Sequence, residues 1–174
     1  MKDIEKFIKI NLSCNIDYYK SNFWKRDNPK ISIVISSFNG EVYLKPAVRS
    51  IQNQNFFNIE IIILDDASMD NSVKIIKELM KGDKRIKLIE NFKNRGALYT
   101  KIRGILSAKG KYILILDQDN LYANKEVFTK LYNEAEKYNL DLLGFSRAVV
   151  SIERQKIEIL QRLNFFLNSN YKKS

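Results

Sequence analysis

The chain has 174 residues, with 30 lysines and arginines against 20 aspartates and glutamates, and a formal charge of +10. A composition 45% hydrophobic and 11% aromatic supports a packed core in one domain, or two small ones, and excludes wholesale disorder. With no histidine and one cysteine, Cys14, the chain has no Ser-His-Asp or Cys-His machinery, no His-ligated metal, no internal disulfide and no cysteine-rich zinc site; any metal must be a hard cation held by oxygen.

In chain order, residues 1–28 carry Ile4, Phe7, Ile8 and Leu12 at helical spacing, then Tyr18, Tyr19, Phe23 and Trp24, which predicts a helical arm. Asn28-Pro29 marks the start of the main domain. From there, β-branched runs at 31–35, 60–64, 86–89, 112–116 and 140–145 read as buried strands. Between them, Leu44, Ala47, Val48 and Ile51 share one helical face, as do Val73, Ile76, Leu79 and Met80. Leu98, Ile102, Ile105 and Leu106 form a third such face, and Val127, Leu131 and Ala135 a fourth. Gly110-Lys111 turns the chain into the fourth strand, and Ile152, Ile159, Leu163 and Phe166 predict a last amphipathic helix. Strands alternating with such helices predict an α/β fold, a Rossmann-like, mostly parallel sheet with helices on both faces and helical extensions at each end. The expected organisation is an arm over 1–28, a binding domain over 29–150, and a helix with its tail over 151–174. The apolar runs, such as 59–64, are too short to span a bilayer, and no N-terminal signal pattern is present. A soluble, cytoplasmic protein without a transmembrane segment is expected, with peripheral membrane contact left open.

Ligands of an open parallel sheet bind beyond the carboxyl ends of its strands. Ser36-Ser37-Phe38-Asn39-Gly40 follows the first strand, Asp65-Asp66-Ala67-Ser68 the second, Asn91 to Gly96 the third, and Asp117-Gln118-Asp119-Asn120 the fourth. Asp117 and Asp119, at i and i+2 after an apolar strand, can converge on one Mg²⁺ or Mn²⁺, or can simply cap the next helix. Asp66 or Ser68 can likewise cap a helix, while a carboxylate there can also accept from a base N–H or a ribose hydroxyl. Residues 81–111 hold ten basic side chains against Asp83 and Glu90, a net of +8, which reads mainly as a local field for a diphosphate beside solvated surface. Asn94-Arg95-Gly96 precedes a helix carrying Lys101 and Arg103, and cations at a helix N-terminus suit a diphosphate. Neither the dinucleotide-binding G-x-G-x-x-G nor the G-x-x-x-x-G-K-[ST] loop is present.

Four blocks in order, 29–39, 64–72, 94–96 and 108–119, resemble the family-2 glycosyltransferases of the GT-A fold, a likeness covering roughly residues 29–145. The resemblance implies an inverting transferase that uses a nucleotide diphosphate sugar, commonly a UDP-sugar, with a hydroxyl acceptor on a glycan, protein or lipid. By position, Ser37, Asn39 and Glu41 are expected around the nucleotide, Asp65 and Asp66 at base and ribose, and Gly96 at a close approach. Lys101 stands near the phosphates, where the family usually has arginine. Asp117 and Asp119 match the metal-binding D-x-D, which implies Mn²⁺ or Mg²⁺ as cofactor and places Asp117 also at the donor.

Three positions depart from the family pattern. Ile102 replaces an asparagine that often follows the arginine, and Asn120 replaces a third acidic residue. After Asp141 only Glu153 and Glu158 carry carboxylates, and both suit the polar face of the expected last helix better than a catalytic base, so no base is assigned. A partner chain or a dimer completing the acceptor side is therefore one expectation. A non-catalytic nucleotide- or partner-binding domain is the alternative. A basic nucleic-acid-binding module is a third reading, with no recognised motif to support it.

Overall fold

The computed structural model describes residues 29–140, 142–143, 147–151, 156–160 and 166–167. The chain forms two compact units, Met1–Lys125 and Glu126–Ser174. In the first, β1 (Ile31–Ser37), α1 (Leu44–Gln52), β2 (Ile59–Asp65), α2 (Ser72–Gly82), β3 (Ile86–Glu90), α3 (Ala97–Ser107) and β4 (Tyr112–Asp117) alternate as expected. The strands form one parallel sheet in the order β3-β2-β1-β4. Register aligns their carboxyl ends: Ser36 pairs with Asp117, Ser37 with Asp65, and Asp65 with Glu90. Every residue that the four loops present to a ligand therefore starts from one edge.

The isoleucine-rich strands form because branched side chains pack well on a pleated surface buried on both faces. Val34, Ile62 and Leu64 share one face with Ile89, Ile113 and Ala108, while Ile33, Ile35, Ile61 and Ile63 are fully buried on the other. The expected stripe of α1, Leu44, Ala47, Val48 and Ile51, is wholly buried. Helix α3 departs from expectation. Leu98 is 68% exposed, and the buried residues of the helix are Thr100 and Gly104. The reason is closeness: a Cβ on Gly104 would lie 2.4 Å from Val34 Cγ1 and 2.5 Å from Leu64 Cδ1, so only hydrogen fits between helix and sheet. Gly104→Ala is expected to destabilise the chain by about 1–3 kcal/mol through overpacking, despite alanine's better helix propensity. Urea unfolding measures it, and a gain in stability would show that the helix can stand off the sheet.

The amino edge of the sheet carries its own polar network. Glu60 accepts from Ser32 Oγ (2.6 Å), the backbone N–H of Lys109 (2.6 Å) and Lys87 Nζ (2.6 Å), and Ser32 Oγ accepts from the N–H of Gly110 (2.8 Å). Burial pushes the Glu60 carboxyl up, but these bonds outweigh burial and hold it below its ordinary range. Nearby, Asp83 accepts from Arg85 Nε (3.0 Å) and Nη2 (2.8 Å), and the Arg85 guanidinium lowers its pKa to about 2. Both pKa values are depressed in the folded chain, so this stability is complete above the unfolded values of about 4 and drains as pH falls through the folded ones. Asp83→Asn is expected to flatten the acid limb of stability between about pH 4 and 2. It should cost about 1 kcal/mol at neutral pH, reduced by solvent screening. Denaturation midpoints at several pH values test this, and an unchanged acid slope would contradict it.

In the second unit, α4 (Val127–Tyr138) ends at Asn139 in the left-handed conformation, with Phe128 and Ala135 buried. The buried strand expected over 140–145 is the short β5 (Leu142–Leu143), which pairs antiparallel with β8 (Phe166–Leu167) outside the parallel sheet. The expected helix over 151–174 is also corrected: β6 (Arg147–Ser151) and β7 (Lys156–Leu160) form an antiparallel pair. Ile157 and Ile159 alternate with Lys156 and Glu158, a period of two that outweighs the helical spacing read across the longer stretch. The arm expected over 1–28 lies outside the described residues. No helix among the described residues is long and apolar enough to cross a membrane.

Candidate functional site

In the order β3-β2-β1-β4 the chain reverses direction across the sheet between β1 and β4, and the crevice beyond that switch point is where an open sheet takes its ligand. The loops after β1, β2, β3 and β4 meet there and are laced together by side chains.

The β1 and β2 loops hold each other reciprocally. Asn39 has a positive φ of 49°; its N–H donates to Ser68 Oγ and its Oδ1 accepts from the N–H of Met69, both at 2.9 Å. Gly40 N–H donates to Ser72 Oγ (2.8 Å) and Glu41 N–H to Asp70 Oδ2 (3.0 Å). Glu41 Oε2 accepts from both the N–H and the Nδ2 of Asn71. Asn39 and Glu41, expected around a nucleotide, thus spend these atoms tying the β1 and β2 loops together.

Asp65 and Asp66 differ sharply. Asp66 is nearly fully buried, and its carboxylate accepts from Asn91 Nδ2 (2.7 Å) and the backbone N–H groups of Arg95 (2.9 Å) and Gly96 (2.8 Å). It anchors the loop leading into α3. Gly96 sits there at φ 84°, a conformation that disfavours any side chain, with nothing within 4 Å of where a Cβ would stand. Asp65 Oδ2 accepts from the N–H of Ser68 (2.9 Å), while its buried Oδ1 has no hydrogen-bond partner among the described residues. A buried carboxylate oxygen without a donor is costly, so Asp65 is the member of the pair with hydrogen-bonding capacity left among the described residues; at 1% exposure, a ligand N–H or O–H reaches it only after the β2 loop shifts.

The turn after β4 is held by a residue that the sequence reading passes over. Gln118 Oε1 accepts from Ser37 Oγ (2.9 Å) and the N–H of Phe38 (3.1 Å), and its Nε2 donates to the carbonyl of Phe38 (3.1 Å). A Cβ on Gly40 would lie 2.1 Å from that Oε1. Gln118 therefore clasps the β1 loop; the side chain of Asp117 is 46% exposed and Asp119 is exposed. The available sequence signal was the position itself: the middle residue of a D-x-D must go somewhere, and a glycine leaves room for it. Lys101 reaches across from α3 to pair with Asp117, Nζ to Oδ1 at 2.5 Å.

Asp117 and Asp119 offer oxygen donors alone, the donor chemistry that a hard divalent cation prefers. The two stand two residues apart after β4, and among the described residues no group of three or more His, Cys, Asp or Glu side chains is placed to hold a metal ion. Such a cation would complete its shell with water and substrate phosphate, as Mg²⁺ typically does.

The basic stretch 81–111 is divided between the two edges of the sheet. Arg85 pairs with Asp83 and Lys87 with Glu60 at the amino edge, where Lys109 and Lys111 also precede β4. Arg103 Nη1 donates to the carbonyl of Glu90 (3.0 Å) and to Asn91 Oδ1. Lys93 and Arg95 lie in the β3 loop, with Arg95 over the Tyr99 ring at 4.5 Å from its centroid. Of ten basic groups, Lys101 alone makes an ion pair with the D-x-D among the described residues. Of the two remaining carboxylates considered for a base, Glu158 lies in β7 and Glu153 falls outside the described residues.

The parallel sheet with its helices is an α/β fold of GT-A-like form. It resembles Staphylococcus aureus TarS 1–349, solved in complex with UDP-GlcNAc, with a TM-score of 0.61 at 23% identity over 64% of this chain and 32% of that one. It also resembles the mannosyltransferase PcManGT of Pyrobaculum calidifontis, solved with GDP-Man and Mn²⁺, with a TM-score of 0.58 at 17% identity over 80% and 44%. The model of the family described as Glycosyl transferase family 2 matches residues 32–174, and the chain belongs to that family. It is 39% identical over 103 residues to an uncharacterized glycosyltransferase of Haemophilus influenzae, covering 59% of this chain and 41% of the relative. It is 37% identical over 112 residues to the Campylobacter jejuni GalNAc(5)-diNAcBac-PP-undecaprenol beta-1,3-glucosyltransferase, covering 63% and 36%. The chain thus spans about two fifths of the length of these curated relatives.

Proposed function

We propose that this chain binds a nucleotide diphosphate sugar at the carboxyl edge of its sheet and serves metal-dependent, inverting transfer of the sugar to a hydroxyl acceptor. The observation that carries the reading is the outward presentation of Asp117 and Asp119 at the β1/β4 switch point, with Gln118 clasped inward between them. Once the β2 loop shifts, Asp65 Oδ1 offers an acceptor to the base or ribose, and a uracil N–H satisfies it well. Asn39, Glu41 and Ser37 shape the wall beside it, and Asp66 holds Gly96 so that the nucleotide can pass close to the backbone. Lys101 stands ready for a phosphate oxygen. Mn²⁺ or Mg²⁺, held by Asp117 and Asp119, would supply Lewis-acid neutralisation of the charge growing on the leaving diphosphate. The acceptor-side groups, including the base that takes the hydroxyl proton, are assigned to no residue of this chain; a partner chain or further sequence is the proposed source.

Calorimetry with UDP, UDP-sugars and GDP, with and without Mn²⁺, tests the reading. Metal-dependent binding of at least one nucleoside diphosphate is expected, and no binding in any arm would overturn it. Donor hydrolysis or transfer to added acceptors separates a working transferase from a domain that only binds.

A further inference from the structure

The ion pair between Lys101 and Asp117 bears on how the cation enters. Lys101 sits in the second turn of α3 and Asp117 at the end of β4, 16 residues apart, so this is a contact between elements and not a neighbour pair on one helix. Gly104, one turn further along α3, presses the helix against Val34 and Leu64, which limits how far Lys101 can withdraw as a rigid body. The pair is only partly solvated, with side-chain exposures of 27% for Lys101 and 46% for Asp117. Its ammonium therefore occupies a lone pair on one of the two carboxylates that a divalent cation would share, and a fixed positive charge beside the site repels a second one.

We propose that Lys101 is a built-in rival of the divalent cation for Asp117, keeping the carboxylate pair weak for free metal until a diphosphate gives the ammonium another anionic partner. A lysine suits this role because its ammonium sits on a flexible four-carbon stem and can swing from carboxylate to phosphate without moving the helix. Metal and nucleotide are thereby coupled: what draws Lys101 away from Asp117 raises affinity for the cation, and by reciprocity the cation raises affinity for the diphosphate. The donor then enters with its metal, and the site does not fill with cation beforehand. The coupling rests on the nucleotide-sugar reading, whereas the rivalry itself is measured without nucleotide.

The test is Mn²⁺ binding to the nucleotide-free chain, followed by loss of the free-ion paramagnetic resonance signal, in wild type, Lys101→Met and Lys101→Arg. Lys101→Met keeps the stem and removes the charge, and is expected to bind Mn²⁺ at least 10-fold more tightly than wild type. Lys101→Arg keeps the charge and should remain weak. Equal or weaker binding by Lys101→Met, or no Mn²⁺ binding by either protein, would overturn the proposal. Should Lys101→Met not fold, Lys101→Gln is measured in its place, and failure of both to fold would make the lysine structural and likewise overturn it. A gain in Mn²⁺ affinity without UDP binding by either protein would support the rivalry while removing the donor reading, so the two fail separately.

Discussion

Asp119→Ala is expected to weaken Mn²⁺-dependent binding of a UDP-sugar by about 100-fold, close to 2.8 kcal/mol at about 1.4 kcal/mol per tenfold. The fold should survive untouched. Asp119 is exposed and sits past the last hydrogen-bonded residue of β4, and surface substitutions of that kind usually change stability by no more than about 0.5 kcal/mol. Affinity and stability therefore separate at this residue. Calorimetry beside a thermal melt checks both: lost binding with an unchanged midpoint supports a ligand-holding carboxylate. A collapsed midpoint would mean that the pair is structural after all, and unchanged binding would mean that the metal sits elsewhere.

Asp66→Ala should behave the opposite way, failing in stability first. Its carboxylate gathers Asn91 Nδ2 and the N–H groups of Arg95 and Gly96; alanine strands the Arg95 N–H and leaves Asn91 Nδ2 only Thr100 Oγ1 and the Gly96 N–H only Asn94 Oδ1. Hydrogen bonds to a charged group contribute about 1.5–3 kcal/mol each, but Arg95 and Gly96 lie near solvent and recover part of this from water. A net loss of about 3 kcal/mol is expected, lowering the melting temperature by about 6–12 °C. The loop into α3 loosens with it, so Lys101 and Gly96 lose their placement and donor affinity falls as well. A variant as stable as wild type would show that the loop holds itself. Asp65→Ala is the informative comparison: it removes one described acceptor, Oδ2 for the Ser68 N–H, against three bonds at Asp66, so it should cost less stability and fall more on ligand binding.

The contrast between these neighbours shows where sequence reasoning reaches its limit. The alternation of strands and helices through residue 117 was legible because isoleucine runs and i, i+3, i+4 stripes each admit one burial geometry. The motif positions were legible too, since all four follow strands whose register aligns their ends. Which atom of each motif remains for a ligand was not legible: Asp65 and Asp66 look equivalent until tertiary contacts saturate one of them. Gln118 was passed over for the same reason, its partners lying 80 and 81 residues away.

The charge count misled for a geometric reason. Each βα unit carries the chain from one edge of the sheet to the other and back, so a contiguous basic stretch is dealt out to both edges. Lys87 and Arg85 consequently answer Glu60 and Asp83 at the far end from Asp117. The stripe of α3 failed because it counted large apolar residues, whereas the tight face is built on Thr100 and Gly104. Past residue 140, Ile159 belongs both to the helical series Ile152, Ile159, Leu163 and Phe166 and to the alternation with Ile157, and strand pairing, which no local pattern records, decided between them.

The proposed site holds a nucleoside diphosphate at the carboxyl edge of the sheet, through Asp65 on one side and a cation on Asp117 and Asp119 on the other. A structure of the chain with UDP and Mn²⁺ tests it most directly. Electron density for the base is expected within hydrogen-bonding distance of Asp65 Oδ1, and a cation joining the diphosphate to the Asp119 carboxylate, with Lys101 turned from Asp117 toward a phosphate oxygen. Nucleotide bound at the amino edge beside Lys87 and Lys109, or a cation that touches neither Asp117 nor Asp119, would contradict it.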